Sequence, residues 1–155
     1  MHKIYSLKIG WAIALYAFLD ILCTGAGMGV PFFCILLGLP TGWYIAKRAI
    51  APLESTREVL RKILLGAALT SAFTVVLMAL VWGSSIWMLF DPAIGLENYG
   101  IPQILYEPVA SFIGWMVLMI VISPFLQFLM ALFGAQLTWM WGLPGGQQTG
   151  GKEAG

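Results

Sequence analysis

The chain holds one histidine, at position 2, and two cysteines, Cys23 and Cys34, in 155 residues. With so few imidazoles and no C-x-x-C pair, the usual ligands of haem and structural zinc are missing, as is a redox dithiol. No metal and no cofactor is expected. No Ser-His-Asp constellation is apparent, no H-E-x-x-H helix occurs, and no glycine loop ends in a phosphate-binding lysine. An intramembrane aspartyl enzyme needs two aspartates in the bilayer, and only Asp20 lies in an apolar stretch. No catalytic residue is therefore expected; an enzyme acting on lipid or thiol substrates would have to use Cys23 or Cys34. The formal net charge is +1. No basic patch is interleaved with aromatics, so a nucleic-acid partner is not expected.

Charge of either sign is scarce. Asp, Glu, Lys and Arg make up 10% of the residues, against about 25% in a soluble domain. Hydrophobic residues make up 60%. A soluble fold of this length leaves about a third of its unfolded surface in water, too much for such a composition. Lipid is the solvent that suits it.

All eight basic residues lie outside the four long apolar stretches. Lys3 and Lys8 precede the first. Lys47, Arg48, Arg57, Arg61 and Lys62 lie between the second and third, and Lys152 is in the tail. The gaps Gly25–Pro31 and Asp91–Pro108 contain neither Lys nor Arg. Short basic loops stay on the cytoplasmic face. The pattern predicts an all-α, multi-pass protein of the cell (plasma or inner) membrane. It has four transmembrane helices in two hairpins and both termini in the cytoplasm. Residues 1–141 form a single four-helix domain and 142–155 a flexible cytoplasmic tail.

The first stretch, Ile9 to about Thr24, reads as a retained signal-anchor, because Asp20 interrupts it and a second apolar span follows almost at once. Gly25, Gly27, Gly29 and Pro31 form the turn that returns the chain: glycine permits positive φ, and proline suits a first helical turn. The second span runs from Pro31 to Ala46. In the third, Ser55-Thr56-Arg57-Glu58 has the spacing of a capping box, with Ser55 as N-cap and Glu58 reaching back. That helix continues to about Met88.

Val109–Trp141 has no charged residue. As one helix it would be about 50 Å long, more than a perpendicular span needs. Pro124 should distort it, with Ser123 able to satisfy a freed carbonyl. The span is expected to reach about Ala131, with Trp139 and Trp141 at the inner interface.

Asp20 is the most unusual residue. A carboxylate at mid-bilayer costs about 2.5–3.5 kcal/mol even on the lenient insertion scale, so it must face protein or water and find a partner. Tyr16, Cys23 and Thr24 share its helical face, and the four make a candidate polar intramembrane site. It reads either as a proton or cation site or as a brace for the glycine turn. Proximity to the outer interface favours the brace.

Gly38 and Gly42 form a G-x-x-x-G step in the row Cys34, Gly38, Gly42, Ala46, suited to close helix contact. That row is read as packing within the chain rather than as a dimer seam. Gly66, Thr70 and Thr74 make a similar row in the third span; Ala110, Gly114, Ser123 and Gln127 do so in the fourth. Gln127 is expected to hydrogen-bond across helices, too deep on the inner side to touch Asp20 directly. The role these features predict is a non-catalytic, small helical subunit or accessory protein, packing in the bilayer against itself or a larger membrane complex. The alternative is a homo-oligomeric proton- or cation-linked transporter or channel module that uses Asp20.

Overall fold

A computed structural model describes residues 9–26, 32–50, 55–91 and 106–142. The described residues are almost wholly helical. Helix α1 is Ile9–Ala26 and α2 is Phe32–Ile50. Helix α3, Thr56–Trp82, tightens into a 3₁₀ segment, Gly83–Phe90. Helix α4, Pro108–Val117, passes through one π turn, Leu118–Ile122, into α5, Ser123–Gly142. Two stretches, Thr56–Phe90 and Pro108–Trp141, are long and apolar enough to cross a membrane. Large apolar side chains such as Trp11, Leu80, Trp87 and Phe90 stand on the outside of the bundle.

Local chemistry accounts for the starts of α3 and α4 and for the break between α4 and α5. Ser55 is the N-cap of α3 in an extended conformation, and its carbonyl receives the Glu58 and Val59 N–H groups at 2.9 and 3.1 Å. Its hydroxyl, however, makes no capping bond. Ser55 is thus the N-cap as expected from the sequence, but the side-chain bond that would make it a capping box is not formed. Pro108 opens α4 at its first turn, where a missing N–H costs nothing. The π turn ends two residues before Pro124, which cannot donate to the ladder. Ser123 donates its hydroxyl to the Leu118 carbonyl at 2.8 Å. That carbonyl also accepts the Ser123 N–H. The side chain therefore reinforces the π turn rather than serving the carbonyl that Pro124 deprives.

Contacts run in register along the helices and give their directions. Gly38 and Gly42 of α2 lie on Gln127 and Ala131 of α5, and Ala46 and Ala49 cluster with Ala135. Positions rise together, so α2 and α5 are parallel. Val59 and Ile63 of α3 join that cluster, while Ser71 lies at Pro124, donating to its carbonyl at 2.7 Å. Helix α3 is therefore antiparallel to both. Phe112, Trp115, Met116 and Met119 form a second apolar cluster with Trp82 and Leu89. It fixes the far end of α3 against α4.

The α2–α5 contact is as close as backbones allow. A Cβ on Gly38 would run into the carbonyl oxygen of Gln127, one on Gly42 into that of Ala131, and one on Gly134 into that of Leu39. Glycine is required there for want of space. Gly114 differs: nothing lies where its Cβ would be. Gly25 lies within α1 rather than in a turn, since the helix runs two residues beyond Thr24. Gly27, Gly29 and Pro31 fall outside the described residues, as do most of the 91–108 connection and the tail.

Candidate polar site between the helices

Helix α1 presents Tyr16, Asp20 and Thr24 on one face, one turn apart. Helix α3 presents Thr70 and Thr74 at the same spacing, and α5 contributes Gln127. Asp20 and Thr74 are fully buried, and Gln127 is 2% exposed. Tyr16 packs edge-on against Phe73, with ring centroids 6.0 Å apart.

These side chains form one connected chain of hydrogen bonds. Gln127 Nε2 donates to the Tyr16 hydroxyl at 3.0 Å. The Tyr16 hydroxyl lies 3.0 Å from both the Thr74 hydroxyl and the Thr70 carbonyl. Thr74 donates to Asp20 Oδ2 at 2.7 Å. A hydroxyl has one proton. With Thr74 spending its own on the carboxyl, Tyr16 has one proton for either the Thr70 carbonyl or the Thr74 hydroxyl; when it turns to Thr74, donation runs from Gln127 to Tyr16 to Thr74 to Asp20. Thr70 directs its hydroxyl back to the carbonyls of Gly66 and Ala67, at 3.1 and 3.0 Å.

The chain is open at both ends. Asp20 Oδ1 and Gln127 Oε1 are buried oxygens without a hydrogen-bonding partner. A buried acceptor without a partner favours a proton or a cation beside it. No group of three or more His, Cys, Asp or Glu that could hold a metal occurs among the described residues.

Thr24 and Cys34 lie at the turn end. The Thr24 hydroxyl donates to the Asp20 backbone carbonyl at 2.8 Å and stands 3.6 Å from Cys34 Sγ. Cys34 is fully buried, Cys23 is half-buried, and both are free thiols. The structure thus joins Asp20, Tyr16 and Thr24 through α1 but brings Cys23 into none of these bonds. Sequence spacing places Thr70 and Thr74 only in a small-residue row and does not reveal Thr74 as the partner of Asp20. The available signal was two hydroxyls one turn apart on an otherwise apolar helix. Gln127 reaches Asp20 through Tyr16 and Thr74 rather than directly. No family model matches the chain, and no curated protein or solved structure matches it.

Proposed function

We propose that this chain is a four-span membrane protein, both termini cytoplasmic, in which Asp20 is the carboxyl of a proton- or cation-linked step. The topology rests on the distribution of Lys and Arg. The apolar exterior of the described helices supports it.

The observation that carries the functional reading is a buried Asp20 joined to Gln127 through two hydroxyls, with an oxygen open at each end. Magnitude separates it from a mere clasp. A hydrogen bond between helices in a bilayer contributes about 0.6 kcal/mol on average and about 1.7 at most. An ionised carboxyl costs about 2.5–3.5 kcal/mol to place there. One bond from Thr74 does not offset that, and an asparagine would hold the same helices at lower cost. A carboxyl is suited to what an amide cannot do, which is to take up and release a proton or bind a cation.

The test is flux in vesicles reconstituted with the full chain and loaded with a pH-sensitive dye, under an imposed proton or sodium gradient. Asp20→Asn abolishes the flux while leaving the protein folded; Tyr16→Phe slows it. Wild-type vesicles no leakier than empty ones would defeat the proposal, as would a folded Asp20→Asn variant that conducts normally.

The second reading is the non-catalytic subunit that packs against itself or a larger complex. One observation favours it: Gly114 of α4 is exposed with open space at its Cβ position, a surface on which another helix can approach closely. Cross-linking in native membranes that traps a partner along α4, with Asp20→Asn affecting only stability, would select this reading.

A further inference from the structure

On the basic side of Tyr16, α1, α2 and α3 line a groove of about 670 Å³. Its walls are apolar: Ile13 and Ala17 on α1, Ile45 on α2, Leu69 and Phe73 on α3. From Lys62 to Phe73 it follows α3 for about 16 Å at 1.5 Å per residue. Its mouth has another character. Arg48, Lys62 and Tyr44 border it at the basic end of the bundle, and Arg48 Nη1 donates to the Tyr44 hydroxyl at 3.2 Å. At its floor Gly66 lets Ile45 of α2 pack closely on α3, 3.0 Å from the position a Cβ would take.

We infer that this groove binds one acyl chain of an anionic glycerophospholipid, whose phosphate sits between Arg48 and Lys62. The two halves of the groove match the two halves of that molecule. An alkyl chain requires a long apolar channel without hydrogen-bonding demand; a phosphate requires cations at the headgroup level. A guanidinium carries five donors and an ammonium three, so a phosphate adds to the contacts these residues already make. Basic pockets between helices on the cytoplasmic side are the usual form of an anionic-lipid site. The inference rests on the proposed membrane placement, where Arg48 and Lys62 face the inner leaflet, and not on the role of Asp20. Tyr16 closes the inner end of the groove and is also a link in the polar chain, so a lipid tail there shields that chain from water on the basic side.

The experiment is native mass spectrometry of the detergent-purified full-length protein, titrated with phosphatidylglycerol or with phosphatidylcholine of the same acyl chains. Wild type should retain one phosphatidylglycerol in clear preference to phosphatidylcholine. Arg48→Gln and Lys62→Gln should each weaken that binding about five-fold, following the usual strength of a cation near an anionic lipid surface. Ala17→Phe, which fills the groove, should reduce binding of both lipids; if it does not fold, the two charge variants decide. Asp20→Asn should leave lipid binding intact, which separates this inference from the proposed function. Equal affinity for the two lipids, an unchanged preference in the Arg48→Gln/Lys62→Gln double variant, or displacement of the lipid by millimolar inorganic phosphate would overturn it.

Discussion

Replacing Thr74 by valine removes one hydroxyl with almost no change in shape, and two groups feel its loss. Asp20 Oδ2 loses its 2.7 Å donor and becomes, like Oδ1, a buried oxygen with no partner. Tyr16 can turn its proton to the Thr70 carbonyl, already 3.0 Å away, so its loss is small. Leaving a buried acceptor unsatisfied costs about 1–3 kcal/mol, whereas removing both partners together is close to neutral. Thr74→Val alone should therefore destabilise by about 2 kcal/mol. Asp20→Leu alone should be near neutral, because it removes the carboxyl and frees Thr74 to bond the Thr70 carbonyl at 3.2 Å. In the double variant most of the Thr74→Val penalty should disappear, giving a coupling of about 1–2 kcal/mol. The assay is reversible unfolding of the full chain in mixed micelles on titration with sodium dodecyl sulfate, followed by tryptophan fluorescence and far-ultraviolet circular dichroism. Additive losses, with Thr74→Val equally costly in the two backgrounds, would refute the hydrogen-bonded pairing of α1 and α3.

Other substitutions test the packing and the topology. Gly42→Ala places a methyl against the Ala131 carbonyl and should cost about 3 kcal/mol in the same unfolding assay; Gly114→Ala, with open space, should be neutral or slightly stabilising. Equal effects at the two glycines would contradict the parallel α2–α5 seam. Ser123→Ala should cost under about 1 kcal/mol, because the Leu118 carbonyl keeps the Ser123 backbone donor; a larger loss would mean that the π turn depends on the hydroxyl. A cysteine introduced at Arg57, in a variant lacking Cys23 and Cys34, should react with an impermeant maleimide only after the cell membrane is opened. Labelling from outside intact cells would reverse the proposed topology.

What could be read along the chain was what a residue dictates to its near neighbours. Helical class follows from long uncharged apolar runs, because backbone groups in such runs are satisfied locally by a helix. Ser55 starts α3 because an extended residue there ends the preceding connection, and Pro124 perturbs the last helix because it lacks a donor. The row Cys34, Gly38, Gly42, Ala46 marks a packing face by spacing alone, and the structure lays Gly38, Gly42 and Ala46 against Gln127, Ala131 and Ala135, with Cys34 beside Thr24 of α1.

Asp20 shows where such reading stops. Its burial cost was evident from the sequence, but its partner was not, because Thr74 is 54 residues away and meets it only through the register of α1 on α3. Depth along separate helices set Gln127 apart from Asp20. The tertiary fold joins them because the Tyr16 side chain spans one turn, about 5.4 Å, and Thr74 completes the bridge. The groove between Arg48, Lys62 and Tyr16 likewise depends on how α1, α2 and α3 meet. Local hydrogen-bonding demand and hydrophobicity determine which segments are helices; the angles and registers at which those helices meet decide which polar side chains become partners and where space is left between them.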